Sequence, residues 1–108
     1  MSLGVMARVH LARGEHEAAL SLAERGCALD LRGAAMPLDG STLNLARFEA
    51  LEALGRNDDA REALRSAVDR ILGFAAKFDD PDLRETYLSA IEPNARTLSL
   101  GRALLEGN

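Results

Sequence analysis

The sequence predicts an all-α fold of antiparallel helix pairs, and three observations carry that expectation. Ala and Leu dominate a hydrophobic fraction of 47%, aromatics make up only 4%, and β-branched residues are few, a bias towards helix over sheet. Glycine, or aspartate followed by proline, breaks the apolar periodicity at helix-length intervals. The stretch Leu54-Gly55-Arg56-Asn57-Asp58-Asp59-Ala60-Arg61-Glu62-Ala63-Leu64 also reads as a tight turn entering a second helix, and Leu11-Ala12-Arg13-Gly14-Glu15-His16-Glu17-Ala18-Ala19-Leu20 repeats its pattern.

The first helix, Leu3 to Arg13, is apolar almost all round, with only Arg8, His10 and Arg13 polar. A helix of that kind calls for neighbours on both sides, so the chain is expected to begin inside a longer array. Gly14 supplies a C-cap, since without a Cβ it enters the left-handed region at little cost. A second helix is predicted from Glu15 to Asp30, its stripe Ala19, Leu22, Ala23, Gly26 and Leu29 at three-and-four spacing. Leu31 to Ser41, with Gly33, Pro37 and Gly40, reads as a loop in which Pro37 biases Met36 away from helix, and Ser41 or Thr42 as the next cap.

A third helix, Thr42 to Leu54, turns Leu43, Ala46, Ala50, Ala53 and Leu54 to one side and Glu49 and Glu52 to the other, with Leu45 between the glutamates. Leu45 therefore reads as an outward apolar residue in an acidic arc. Gly55 ends this helix, and Asn57 or Asp58 is expected to cap a fourth, from Asp58 to Phe78, carrying Ala60, Leu64, Ala67, Val68, Ile71, Leu72 and Ala75 inward and allowed to bend at Gly73. Arg65 is in position to pair with Glu62 or Asp69 along the wet face. Asp79-Asp80-Pro81 is a stop and restart, an aspartate cap followed by proline at the first helical position. The fifth helix is expected to bury Leu83, Tyr87, Leu88 and Ile91. After Glu92-Pro93, a sixth from Asn94 to Leu105 turns Ala95, Leu98, Leu104 and Leu105 inward and leaves Leu100 on a flank.

At 108 residues the chain reads as one domain with enough length for its own core. A net charge of −4 and scattered positive residues leave no basic stripe for a phosphate backbone, so direct nucleic-acid binding is not expected. No apolar run reaches the ~18 residues of a membrane span, and with the lone Cys27 no internal disulfide is available, which makes the cytoplasm the default location.

Gly14 and Gly55 lie 41 residues apart, with Ala19 and Ala60 each five residues beyond. This pattern resembles the tetratricopeptide repeat, whose helix pair has a small residue at the turn and alanine early in its second helix. Ala7, His10, Gly14, Ala19, Ala23, Gly26 and Asp30 in one repeat, and Leu51, Gly55, Ala60, Leu64 and Ala67 in the next, match that pattern; Phe48 stands where a small residue is usual. The spacing exceeds the usual ~34 residues, an excess the Leu31 to Ser41 loop can hold. The segment Asp80 to Leu98 resembles the closing part of such arrays in bacterial multidomain kinases, ATPases and transcriptional regulators. The resemblance implies a short α-solenoid spanning residues 1–108, a piece of a longer protein: one repeat at about 3–30, a second at about 42–78, and closing helices at about 81–105. Ala7, Gly14, Ala19, Gly55, Ala60 and Ala67 would be its packing positions.

The candidate ligand-binding side chains are few. His10, His16 and Cys27 lack the convergent spacing of a metal set, and no nucleophile and base stand in a recognisable pattern, so neither metal, cofactor nor catalysis is expected. Asp79, Asp80 and Asp82 surround a proline restart where capping accounts for them, no calcium-loop pattern is present, and Gly14, Gly55 and Gly73 belong to no phosphate-binding motif. By the resemblance, the first helix of each pair lines a concave face, which would put Arg8, Leu45, Glu49 and Glu52 on a partner-binding surface. The family's carboxylate-gripping lysine, asparagine and arginine are not reproduced. A mixed apolar and acidic face suits a basic or amphipathic protein segment, supplied by a partner or by another domain of the same chain. The competing expectation is a homodimer formed through the all-round apolar first helix and Leu100.

Overall fold

The duplicated turn is duplicated down to its hydrogen bonds. The computed structural model describes residues 2–31 and 37–106, and in it Gly14 and Gly55 have φ of 76° and 78°. At the first turn Glu15 N–H donates to His10 O at 2.8 Å and Gly14 N–H to Leu11 O at 3.1 Å; at the second Arg56 N–H donates to Leu51 O and Gly55 N–H to Glu52 O, both at 3.0 Å. Each is a Schellman closure, satisfying carbonyls that a helix end would otherwise leave unpaired. Such a closure usually adds an apolar contact; here His10 Nδ1 and Glu15 Oε1, 3.1 Å apart, bridge the first turn instead.

The two turns join α1 (Leu3–Ala12) to α2 (His16–Leu31) and α3 (Pro37–Ala53) to α4 (Asn57–Ala75); α5 (Pro81–Ser89) and α6 (Glu92–Gly101) follow, and Arg102–Glu106 winds on as a π-helical turn. The described residues are all-helical and compact, with no strand among them. Successive helices from α1 to α4 pack on one another. In addition, α3 touches α1, and α6 touches both α3 and α4. The result is 40 × 36 × 22 Å, its shortest dimension about two helix diameters.

Several boundaries differ from the sequence reading. Helix α3 starts at Pro37 rather than Thr42, so half of the expected loop is its first turn; residues 32–36, including Gly33 and Met36, lie outside the described residues. Proline fits there because a first-turn N–H has no intrahelical partner. Ser41 and Thr42 therefore do not cap: Ser41 is buried inside the helix and its Oγ accepts from Arg70 Nη1 of α4 at 3.0 Å. Helix α4 begins at Asn57, preceded by Arg56 without a side-chain cap, and ends at Ala75 instead of Phe78. Asp80 is a cap as expected, its Oδ1 accepting from Asp82 N–H at 2.8 Å, with Pro81 beginning α5.

The interior is built from small residues as much as from large ones. Ala7, Ala23 and Ala46 form one fully enclosed group where α1, α2 and α3 meet, and Ala19, Ala50, Ala60 and Ala63 sit among Leu20, Leu45, Phe48, Leu51 and Leu64 in a second. A third group holds Ile71, Ala75 and Tyr87, where Phe74 and Phe78 lie with ring centroids 5.2 and 5.4 Å from the tyrosine. The expected packing positions Ala7, Ala19, Ala60 and Ala67 are all buried. Helix α3 touches α1, α2, α4 and α6 and is buried almost all round, which overturns the two-sided reading of it: Leu45 is only 4% exposed, whereas Ala53 is exposed. Elsewhere most stripe positions are buried as expected, Ala19, Ala23 and Gly26 on α2 and Ala60, Leu64, Ala67, Ile71 and Ala75 on α4, with exceptions at the stripe edges. Leu20 and Ala63 are buried while Leu29, Leu72 and Leu83 are exposed, and Leu100 is not spare, since it packs with Leu104 and Leu105 against the second group.

Candidate functional groove

Helices α1, α3 and α6, with His16 at the start of α2, contribute the walls of a groove along α3. Helical spacing explains which residues face it. Leu45, Glu49 and Glu52 stand at four- and three-residue steps on α3, Arg8, Leu11 and Ala12 on one side of α1, and Glu92, Arg96 and Leu100 at four-residue steps on α6. One end, about 360 Å³, is lined by Arg8, Leu11, Ala12, Thr42, Leu45, Glu49, Glu92 and Arg96. The other, about 440 Å³, shares Leu11, Glu49 and Arg96 and continues along His16, Phe48, Glu52, Ala53 and Leu100. Leu45, Phe48 and Leu11 make an apolar floor beneath charged rims.

All four residues expected on a partner surface, Arg8, Leu45, Glu49 and Glu52, line this groove. Leu45, expected to project, is instead part of the floor at 4% exposure, because α1 and α6 close over the side of α3 that a single-helix wheel leaves open. Two ion pairs link the rims: Arg8 Nη1 to Glu92 Oε2 and Arg96 Nη2 to Glu49 Oε2, each at 3.8 Å. With arginine side chains 57% and 51% exposed, each is worth at most about 1 kcal/mol and weakens with salt. Glu52 is exposed and forms no ion pair among the described residues. His16 Nδ1 is buried with no hydrogen-bond partner among the described residues.

Of the α6 side of the groove, the sequence points to Leu100 only as a flank residue and to Glu92 only at a proline restart, and it does not single out Arg96. The four-residue spacing was readable, but nothing local says that α6 docks beside α3. Arg61 of α4, whose Nη1 donates to Leu104 O at 2.7 Å, helps hold that terminal segment, across 43 residues of chain.

The remaining candidates are dispersed. His10 engages Glu15, Cys27 is half-buried on α2, and among the described residues no three His, Cys, Asp or Glu side chains converge as metal ligands would. Asp79, Asp80 and Asp82 are exposed at the α5 start. No helix of the described residues is long and apolar enough to cross a membrane. Comparison with protein-family models, with curated proteins and with solved structures gives no match.

Proposed function

We propose that this chain is a tetratricopeptide-like interaction module of a bacterial signal-transduction or regulatory protein, and that it holds a peptide segment or another protein domain along the α1–α3–α6 groove. The observation that carries the reading is the convergence of Arg8, Leu45, Glu49 and Glu52, from two helices, on one apolar-floored groove with charged rims. The first two pairs support a repeat, since α3 lies on both α1 and α2 and the first helices α1 and α3 are side by side; in the closing pair it is the second helix, α6, that lies on α3 and α4, while α5 contacts only α4 and α6 among the described residues. Matched Schellman turns at Gly14 and Gly55 add to it. The module is not an enzyme in this reading, since the groove offers ion pairs and an apolar floor without a nucleophile and base in contact.

Peptide display against the immobilised full chain tests the proposal. Selected peptides are expected to shift backbone amide resonances of α1, α3 and α6 in the labelled chain, and Glu49→Lys with Glu52→Lys is expected to abolish that binding while leaving the thermal melt intact. Binders that map only to the α2 and α4 side would sink it.

A second reading, self-association, rests on a different observation. Val5 and Val9, one turn apart on α1, are 48% and 42% exposed, an apolar edge that a second copy would cover. Light scattering at high concentration is expected to show a dimer that Val5→Glu with Val9→Lys dissociates; a strictly monomeric chain excludes this reading.

A further inference from the structure

Two arginines of the chain itself, Arg8 and Arg96, already line the groove, and Arg96 is the one held by an α3 carboxylate. Arg96 reaches from α6 to Glu49, and Glu52, one turn further along α3, stands at the same opening without an ion pair among the described residues. We propose that Glu49 and Glu52 receive a guanidinium or ammonium side chain of the bound protein segment, in competition with Arg96. This rests on the reading of the groove as a binding surface.

Three features of the groove select that chemistry. Its charge is unbalanced: Glu49, Glu52 and Glu92 face Arg8 and Arg96, and each arginine is engaged by a glutamate. An incoming anion would meet carboxylates, whereas an incoming cation finds Glu52 open and Glu49 held only by a long contact. Carboxylates at positions i and i+3 of a helix lie on one face, and a guanidinium has donors in a fixed fork that can serve two oxygens at once. Half-buried Leu11 and Leu100 present apolar surface to the stem of an arginine or lysine, and the buried Phe48 beneath them lowers the local dielectric around the pair.

The competition has a structural consequence. Arg96 sits on the same α6 face as Glu92 and Leu100, so its release from Glu49 leaves α6 attached through Leu100, Leu104 and the Arg61 bond to Leu104 O. A ligand cation can therefore replace Arg96 without removing the helix. Arg96 acts as a built-in brake on affinity and selects against ligands whose cation is poorly placed.

The test uses the full chain and peptides selected from a random twelve-residue display library. Groove-directed binders are expected to share an arginine or lysine, and its replacement by citrulline or glutamine to weaken binding about tenfold. Glu52→Gln is expected to weaken the same peptides by about the same factor. Arg96→Gln is expected to tighten them about threefold, a gain that damage to the fold does not produce. Groove-directed binders without a cation, or an Arg96→Gln chain that binds no more tightly, would overturn the cation assignment and leave the groove intact as a binding surface. Peptides that shift no α1, α3 or α6 resonance, or a library that yields no binder, would overturn the groove itself.

Discussion

A Cβ added at Gly26 runs into the Cδ1, Cδ2 and Cγ atoms of Leu43, while one added at Gly73 meets nothing within 4 Å. Leu43 is fully buried and has little room to yield, so Gly26→Ala is expected to cost about 1–3 kcal/mol through overpacking. Gly73→Ala, on the exposed side of α4, is expected to gain about 0.5–1 kcal/mol from helix propensity and a less flexible unfolded chain. Gly55→Ala carries neither clash nor benefit of that kind, but at φ 78° it is expected to lose about 1–2 kcal/mol to left-handed strain. Denaturant unfolding of the three single variants gives the order directly. Of these residues, the sequence made Gly55 legible, because a glycine between two apolar-periodic segments is a turn signal. Gly26 is legible as a stripe and repeat position, but not as the glycine that Leu43 packs against. Leu45 was misread for a physical reason: the wheel gives the phase of a side chain about its own helix and carries no information on how many neighbours that helix acquires.

Helix ends decide the C-terminal half. Arg84, from the first turn of α5, donates from Nη2 to Phe78 O and from Nε to Ala75 O at 3.3 Å, closing the segment after α4 where its last carbonyls need partners. Arg84→Ala is expected to destabilise the fold by about 1.5–3 kcal/mol, the range for bonds to a charged donor, whereas Asp80→Ala, losing one cap bond to Asp82 N–H, is expected to cost about 1 kcal/mol. Lysine at position 84 separates charge from geometry: a single ammonium cannot reproduce the forked donors, so Arg84→Lys is expected to recover less than half of the loss in a thermal melt. The Asp80-Pro81 restart was plain in the sequence because cap and proline are adjacent. The arginine clamp was not, since it joins residues six and nine apart across a turn whose shape no local pattern specifies. The same reasoning applies to the groove, whose α3 and α1 residues followed from helical phase while Glu92, Arg96 and Leu100 depended on where α6 comes to rest.

Across the whole molecule, burial is distributed unevenly along the chain. Helices α2, α3 and α4 are 16, 17 and 19 residues long, and the largest fully buried side chains include Leu43, Leu51, Leu64 and Ile71 on α3 and α4. Helix α5 has 9 residues and buries only Tyr87, which rests on Phe74 and Phe78 and whose carbonyl accepts from Asn94 Nδ2 at 2.9 Å. Local opening is cheapest where few apolar contacts are lost. Amides of α5 are therefore expected to exchange with solvent before those of α3 and α4, through an opening that leaves the α1–α4 core closed. Tyr87→Ala removes the one buried anchor of α5 and is expected to cost about 3 kcal/mol or more, with exchange accelerated in α5 and at the start of α6 well beyond the change in α2. Equal acceleration across all six helices would mean that the chain opens as one cooperative unit. That outcome would rule out a separately opening C-terminal pair and tie the α6 wall of the groove to the stability of the whole fold.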